Sequence, residues 1–281
     1  MEPGSGRADV AFAPMHPIER LRHVARAEGA GPSLLVRESA EALAGFAADP
    51  AGMVTACRRL VDRHPAVGPV WWLAARVLAA SEQRAEAWRA AEDVDSDTTP
   101  QVLAGLLPDD ATVVLLGWPE QAAEAVRRRG DLEVLVVDCG GEGSDLGRRL
   151  RAAGLDALDV PDGGVGAAAA EADLVLLEAS ALGPGGFVAP SGSRAAAAVA
   201  CRAGTPVWVV AGVGRVLPGR LWDALVDRMD GGGAEPWDRY DEVVPLDLAG
   251  QVVGPGGTVP AGDAPTRADC PVAPELLRPI S

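Results

Sequence analysis

Lysine and asparagine are absent from this sequence, and all 25 of its basic residues are arginine. The absence of lysine excludes an enzyme that forms a lysine Schiff base and a phosphate-binding loop that depends on lysine. The absence of asparagine excludes an oxyanion hole built from that side chain. Acidic residues number 40, which makes the formal net charge −15. Because a nucleic-acid surface needs a concentrated basic patch, we expect no direct binding of nucleic acid.

Paired cysteines are also absent. Cys57, Cys139, Cys201 and Cys270 are far apart and form no Cys-x-x-Cys motif, and all three histidines lie before residue 65. We therefore expect no metal, no cofactor and no Ser-His-Asp triad in the later part of the chain. Neither a signal peptide nor an apolar run of about 18 residues is present, so we expect a soluble, reduced, cytoplasmic protein without membrane contact.

The first part of the chain is expected to be helical. Residues 1–14 are rich in Gly, Pro and Ala and are expected to form a disordered head. Over residues 15–108 the apolar residues follow helical spacing, and several prolines stand where a helix would begin. Trp71 and Trp72 lie on a broad apolar face of one such helix, and we expect them in a core or an interface. This region predicts a helical N-terminal domain.

Residues 109–281 change to alternating strands and helices. A strand is expected at Thr112–Leu116 and a helix at Glu120–Arg129. The stretch from Ala172 to Val210 holds two apolar runs, separated by a glycine-rich turn and an alanine-rich helix. Such runs are typical of parallel strands buried on both faces. The predicted fold class is α/β, with a Rossmann-like domain that has a mainly parallel sheet and carries its functional groups on the loops after the strands.

The centre of this region carries a motif of strand, acidic turn and glycines. Asp173-Leu-Val-Leu-Leu-Glu-Ala-Ser-Ala-Leu is followed by Gly186, Val188 and Gly192-Ser193. This pattern resembles the signature of the initiation factor 2B α/β/δ family, which also contains the methylthioribose-1-phosphate and ribose-1,5-bisphosphate isomerases. The resemblance identifies the chain as a divergent bacterial member of that family and covers roughly residues 65–277.

The resemblance also implies an assembly and a place for the end of the chain. Members of the family dimerise through the α/β domain, which makes a homodimer the expected state. Trp208, Trp222 and Trp237 are candidate apolar anchors of that interface. An edge strand is expected at Val243–Leu246, and the rest is expected to be loop-rich. The Pro271-Val-Ala-Pro-Glu-Leu-Leu segment resembles the family's C-terminal tail, which would pack back on the sheet.

Two catalytic positions of the related isomerases hold other residues in this chain. The family's cysteine, just after the first strand of the domain, falls on Gly117. The family's Gly-Ala-Asp motif is replaced by Glu178-Ala179-Ser180. Glycine has no side chain to hold a proton, and a serine without a neighbouring base is a poor acid or base. We therefore expect no catalytic residue at either position.

The phosphate-binding features of the family are replaced as well. Its Arg-Pro pair aligns with Glu142-Gly143, which reverses the charge where a phosphate would be held. Its Asn-Gly and Asn-Lys pairs align with Gly185-Gly186 and Ala189-Pro190. The turn residues are retained while the side chains that do chemistry are lost. An acidic pocket of this kind suits a neutral or cationic small molecule better than a sugar bisphosphate.

Three other features have ordinary explanations. Gly164–Ala169 fits a dinucleotide-binding fingerprint, but only about five residues are left for the helix that should follow. Cys139 stands beside Asp138 at a strand end, and with no adjacent base we expect it to be structural. The acidic residues 93–97 and the pair Asp109-Asp110 are expected to be solvated linker residues.

These features predict a non-catalytic, initiation factor 2B-like binding or regulatory protein with a degenerate sugar-phosphate or nucleotide pocket. A small molecule is the expected ligand. The residues expected in the pocket lie after a strand or in a glycine turn: Gly117, Trp118, Asp138, Asp162, Glu178, Ser180 and Gly186. Two alternatives stay open. One is an aldose-ketose isomerase for a sugar phosphate with a rearranged site, using Cys139 or Ser180. The other is a protein subunit of a translation-factor-like assembly.

Overall fold

The computed structural model describes residues 31–139, 141, 143–231 and 233–278, so the expected head at residues 1–14 lies outside the described residues. From residue 31 to residue 106 the chain forms five helices: α1 Pro32–Ala44, α2 Pro50–Arg63, α3 Gly68–Ala79, α4 Gln83–Asp95 and α5 Thr99–Leu106. Four of them have a proline in the first turn, where its missing N–H removes no hydrogen bond of the helix. Local sequence thus sets where these helices begin.

Helix α3 forms the centre of this helical region. Trp71 and Trp72 are fully buried in it, as expected for core residues. The guanidinium of Arg228 lies 4.7 Å from the ring centre of Trp71, and that of Arg76 lies 4.4 Å from the ring centre of Trp72. Although α3 is apolar on most sides, it has only 12 residues. Among the described residues, no helix is both long and apolar enough to cross a membrane.

The second region is built on a mainly parallel sheet. Its strands are β1 Thr112–Leu116, β2 Glu133–Val137, β3 Asp156–Val160, β4 Leu174–Glu178, β7 Val207–Val210, β9 Gln251–Gly254 and β10 Gly257–Pro260. They lie in the order β10-β9-β7-β4-β1-β2-β3, and within the described residues only β10 is antiparallel to its neighbour. The predicted Rossmann-like α/β fold is therefore confirmed.

Helices cover both faces of this sheet. They are α6 Glu120–Arg129, α7 Gly143–Ala152, α8 Val165–Glu171 and α9 Ser193–Ala203, whereas a further helix, α10 Gly219–Asp230, packs with the helical region. In β1, Val113 packs with the layer of α6 and α7, while Val114 packs with the layer of α8 and α9. Because successive side chains of a strand point to opposite faces, a strand covered on both sides needs an unbroken apolar run. Helix α8 has 7 residues, too few for a dinucleotide-binding fingerprint.

A second, smaller sheet lies where the sequence predicted only a glycine-rich turn. Strands β5 Ala181–Gly183 and β6 Gly186–Pro190 form a hairpin, and β8 Asp241–Val244 pairs with β6. Trp222 of α10 packs on this hairpin and is almost completely buried. A Cβ atom at Gly183 would lie 2.4 Å from Cγ of Trp222. Trp222 is therefore a core residue of its own chain, which corrects its expected place in a dimer interface.

The end of the chain also differs from expectation. Residues 251–260 form the β9-β10 hairpin, and the expected edge strand at Val243–Leu246 overlaps β8 of the second sheet only at Val243 and Val244. The tail packs on the helical region instead of the sheet. The carbonyl of Glu275 accepts a hydrogen bond from Nε of Arg58 at 2.7 Å, and Leu276 is buried in the helical core. The sheet face expected to receive the tail is already covered by helices.

Candidate ligand-binding site

A cavity of about 840 Å³ lies at the carboxyl edge of the main sheet, where β1 and β4 end. The chain passes from β1 to β2 on one side, while β4 pairs with the other side of β1. Such a reversal of strand order is where open α/β sheets bind ligands. The helical region supplies the facing wall through Leu35, Arg63 and His64. The cavity therefore lies between the helical region and the α/β domain.

Glu178, the last residue of β4, lines this cavity. Its Oε2 accepts hydrogen bonds from the backbone N–H of Gln121 at 2.7 Å and of Ala122 at 3.0 Å. Both groups belong to the first turn of α6, where N–H groups have no partner within the helix. Its Oε1 lies 2.9 Å from Nη2 of Arg215, and both side chains are almost completely buried. Burial raises the pKa of the Glu178 carboxyl, against the opposing effects of Arg215 and the two N–H groups.

Two more helix N-termini at this edge are occupied by carboxylates. Asp138, after β2, accepts a hydrogen bond from the backbone N–H of Gly143 at 2.8 Å, at the start of α7. Glu242 of β8 accepts from the N–H groups of Gly192 at 2.8 Å and Arg194 at 3.0 Å, at the start of α9. Helix N-termini are natural phosphate sites. Carboxylates of the chain itself already fill these positions.

Gly117 and Ser180 are the two positions at which the sequence predicted no catalytic residue. Gly117 has a φ of 63°, and a Cβ atom there would lie 3.7 Å from Pro190 and 3.9 Å from Cys139. Ser180 lines the cavity, but the carbonyl of Val188 accepts hydrogen bonds from both its backbone N–H, at 2.8 Å, and its hydroxyl, at 3.3 Å. Gly117 has no side chain to hold a proton, and the hydroxyl of Ser180 is directed to a backbone carbonyl.

The other expected site residues are spread around the cavity. Trp118 lines it, with the guanidinium of Arg149 5.0 Å from its ring centre. Asp162 is exposed in the turn after β3. Gly186 belongs to the second sheet, where its φ of 148° and the carbonyl of Val244 leave no space for a side chain. The structure therefore brings Trp118, Glu178 and Ser180 together in the lining, with Gly117 and Asp138 at the adjoining strand ends. Glu142 lies outside the described residues.

Sequence reasoning missed two polar residues of the cavity wall. Arg215, in the loop after β7, is buried, and its Nη1 donates to the carbonyl of Ala179 at 2.6 Å. Ser193, the first residue of α9, is fully buried, and its hydroxyl has no hydrogen-bond partner among the described residues. No local pattern separates Arg215 from the exposed arginines of the chain, because its partner Glu178 lies far away in sequence.

His64 and Cys139 complete the environment of the cavity. All three histidines precede the α/β domain in the sequence. His64 nevertheless lines the cavity, because the helical region folds over the sheet edge. Burial, with additional effects from Asp162 and Asp138, raises the pKa of Cys139 to about 11. Since the thiolate is the reactive form, this supports a structural role for Cys139.

Asp97, one of the acids expected to be solvated, instead connects three segments of the chain through hydrogen bonds. Oδ2 of Asp97 accepts hydrogen bonds from Nε2 of Gln121 at 2.6 Å and from the N–H of Val213 at 2.7 Å. Its Oδ1 accepts from the N–H of Thr99 at 2.9 Å. Asp109, in contrast, is almost fully exposed. Within the described ranges, no three His, Cys, Asp or Glu side chains converge on a metal position.

Several solved structures share this architecture. The chain is similar to translation initiation factor eIF-2B from Pyrococcus horikoshii OT3, with a TM-score of 0.74 and 17% identity over 88% of this chain and 98% of that one. It is similar to a chain of the tetrameric eIF2B-beta2-delta2 complex from C. thermophilum, with a TM-score of 0.70 and 16% identity over 89% and 92% of the two chains. For the eIF-2B delta subunit from A. fulgidus the TM-score is 0.56, with 17% identity over 87% and 88%. No protein-family model matches the sequence, and no curated protein matches it.

Proposed function

Starting from the fold that this chain shares with initiation factor 2B subunits, we propose that the protein is a non-catalytic ligand-binding or regulatory protein. Its ligand site is the cavity at the ends of β1 and β4, with Trp118, Glu178 and Ser180 in the wall. One observation carries this proposal. The two positions that would perform proton transfer are Gly117, which has no side chain, and Ser180, whose hydroxyl is bound to the carbonyl of Val188.

The ligand is a neutral or cationic small molecule. Carboxylates of Glu178, Asp138 and Glu242 already accept the hydrogen bonds of three helix N-termini at this edge. A sugar phosphate would have to approach these negative charges while the usual phosphate donors are occupied. The buried hydroxyl of Ser193 and the ring of Trp118 are the groups that suit an uncharged, hydroxylated and partly aromatic molecule.

A thermal-shift panel of uncharged nucleosides, nucleoside monophosphates and sugar phosphates tests this proposal. A ligand at about a hundred times its dissociation constant adds about 2.7 kcal/mol to the free energy of unfolding, which raises the midpoint by several degrees. We expect uncharged compounds to raise the midpoint and phosphates to leave it unchanged. A shift with a sugar phosphate, followed by turnover of an aldose phosphate to its ketose, would instead establish the isomerase alternative.

We propose that the protein acts as a homodimer joined through the α/β domain. One of the similar structures is described as a tetrameric complex of beta and delta subunits, and the Trp237 side chain of this chain is 79% exposed. A large exposed aromatic residue favours a protein interface. All four cysteines are free thiols, which suits the reducing conditions of the cytoplasm, where we propose that the protein acts.

The same exposed residue favours a second candidate, a subunit of a larger protein assembly. A pull-down from the native cell, followed by mass spectrometry, separates the two. Recovery of this chain alone supports the homodimer, and stoichiometric recovery of a different polypeptide supports the assembly.

A further inference from the structure

The Glu178 carboxylate occupies a site formed by three donors, which we call the three-donor site. It consists of the backbone N–H groups of Gln121 and Ala122 and the guanidinium of Arg215, at 2.7, 3.0 and 2.9 Å from the carboxylate oxygens. Helix N-termini and arginine are also the groups that bind phosphate and sulfate in proteins. The helix that supplies the N–H groups, α6, has 10 residues. The three donors could therefore bind an oxyanion, but the carboxylate of Glu178 already occupies this position.

Arg215 is held in position by contacts that do not involve Glu178. Its Nη1 donates to the carbonyl of Ala179 at 2.6 Å. Its own backbone carbonyl accepts a hydrogen bond at 2.7 Å from the N–H of Leu182, which belongs to β5. The N–H groups of Gln121 and Ala122 are fixed by the helix itself. Removal of the carboxylate would therefore leave the three donors oriented as they are.

The three-donor site adjoins the cavity, since Glu178 and Arg215 both line it. A second polar group of the same wall points to a ligand independently. Ser193 is fully buried, and its hydroxyl has no hydrogen-bond partner in the described part of the chain. Buried polar groups are normally paired, so such a group in a cavity wall suits a bound polar molecule. The same wall therefore holds a filled anion site and a buried hydroxyl without a partner among the described residues.

We propose that Glu178 is the residue that determines the charge of the ligand, because its carboxylate acts as a built-in anion that keeps phosphates out of the three-donor site. Without this carboxylate, the site binds a small oxyanion. The proposal rests on the proposed function of the cavity as a ligand site. Asp138 and Glu242 also fill helix N-termini, but among the described residues neither is bonded to an arginine side chain. Replacement of Glu178 should therefore change the charge of the ligand that the cavity binds.

The test is the Glu178→Ala variant, titrated with inorganic phosphate and sulfate by calorimetry and thermal shift. We expect phosphate affinity to rise on the order of tenfold to a hundredfold over the original protein, as charge-assisted hydrogen bonds to an oxyanion require. The matched control is Glu242→Ala, which empties a helix N-terminus where only backbone N–H groups, and no arginine side chain, are bonded to the carboxylate, and which should gain much less. The Glu178→Ala, Arg215→Ala double variant should lose the gain. An equal gain in the Glu242→Ala variant would overturn the proposal.

Two further measurements test the proposal if the Glu178→Ala variant does not fold. Glu178→Gln keeps the size of the side chain, should fold, and should gain no phosphate affinity because the amide still fills the site. Phosphate binding by this variant would contradict the proposal. The Ala variant is also refolded in phosphate, sulfate or chloride at equal ionic strength. Recovery specific to the two oxyanions supports the three-donor site, and equal recovery in all three salts contradicts it.

These outcomes are separate from those of the ligand panel. If the original protein binds no uncharged compound but the Ala variant binds phosphate, the proposed function fails and the role of Glu178 stands. If the original protein binds an uncharged ligand and the folded Ala variant ignores phosphate, the function stands and the role of Glu178 is wrong.

Discussion

At the scale of single residues, Glu178 and Ser193 line the same cavity wall but differ in their hydrogen bonds. Glu178 has three hydrogen-bond donors and is fully satisfied despite its burial. Ser193 is fully buried, and its hydroxyl has no partner among the described residues. A buried polar group without a partner lowers stability, and a protein keeps one most readily where a ligand completes it. In the proposed function, Glu178 excludes phosphates and the Ser193 hydroxyl binds a polar group of the ligand.

Replacement of Ser193 with alanine should separate stability from binding. We expect the free energy of unfolding of Ser193→Ala to rise by about 1 kcal/mol, because an unpaired buried hydroxyl is removed. Ligand affinity should fall by about tenfold, the value of one hydrogen bond. Urea denaturation and calorimetry measure the two effects. In the control, Ser191→Ala, stability should fall, because the hydroxyl of Ser191 donates to the carbonyl of Arg239 at 2.5 Å. A destabilised Ser193→Ala variant would mean that the hydroxyl has a partner.

The cysteines should differ sharply in reactivity. Cys201 is exposed, whereas burial raises the pKa of Cys139 to about 11 and of Cys270 to about 12, and raises that of Cys57 as well. Since the thiolate reacts, iodoacetamide at pH 8 should modify Cys201 first, and modification of Cys139 should grow only as the pH approaches 11. Peptide mass spectrometry gives the order, with Cys201→Ser as the unlabelled control. Fast labelling of Cys139 at pH 8 would indicate an activated thiol and favour the isomerase alternative.

At the scale of elements, the hairpin of β5 and β6 explains why the stretch after β4 is rich in glycine. The ring of Trp222 lies directly on Gly183 and Gly185, where Cβ atoms would come within 2.4 and 2.8 Å of it. The hairpin adds two strands to a second sheet and carries the chain toward the N-terminus of α9. Glycine is therefore required here for close packing of a tryptophan, and not for binding a phosphate.

Substitution of Gly183 with alanine should lower the free energy of unfolding by about 1–3 kcal/mol, the usual cost of overpacking. The contact is with the base of the Trp222 side chain, so the tryptophan has little freedom to move away. The matched control is Gly105→Ala, in α5, where a Cβ atom meets nothing within 4 Å. There the higher helix propensity of alanine should raise stability by about 0.5–1 kcal/mol. Equal effects of the two substitutions in chemical denaturation would show that the Trp222 contact is unimportant.

At the scale of the whole molecule, short polar contacts join the helical region to the α/β domain. The N–H of Gly68 donates to the carbonyl of Ser180 at 2.9 Å, next to the cavity. Asp97 connects the turn before α5 with Gln121 of α6 and with Val213 after β7. Residues of both regions line the cavity. The relative placement of the two regions therefore sets its shape.

Replacement of Asp97 with alanine should destabilise the whole chain. It leaves the N–H of Val213 and the side-chain amide of Gln121 without an acceptor, which we expect to lower the free energy of unfolding by about 3 kcal/mol. Asp95→Ala is the control, since this residue is exposed at the end of α4. Thermal unfolding followed by circular dichroism compares them. If Asp97→Ala is as stable as the control, the hydrogen bonds of Asp97 do not stabilise the contact between the two regions.

The proposed dimer makes a prediction for Trp237. We expect Trp237→Glu to convert a dimer to a monomer, because a charge would replace a large exposed apolar surface at the centre of an interface. Trp88→Glu is the control, since Trp88 is also exposed, at 43%, but lies on α4 in the helical region. Sedimentation velocity at micromolar concentration measures both. If Trp237→Glu remains a dimer, the interface lies elsewhere.

The sequence by itself determined the positions of many elements and the side chains present at positions 117 and 180. The expected strand at Thr112–Leu116 and helix at Glu120–Arg129 coincide with β1 and α6, because apolar spacing and terminal residues act over a few positions. The parallel sheet followed from apolar runs that need cover on both faces. The sequence itself has glycine at position 117 and serine at position 180, so it shows that neither position holds an acidic residue.

Only the tertiary structure decided which distant residues meet. Arg215 pairs with Glu178 across 37 positions of the chain, His64 reaches the cavity from another region, and Trp222 turns inward to the glycine hairpin. Local periodicity indicates which face of an element is buried, but not which partner covers it. Partner choice depends on the packing of all the elements at once, because burial of a charge is tolerated only where an opposite charge and hydrogen-bond donors converge on it.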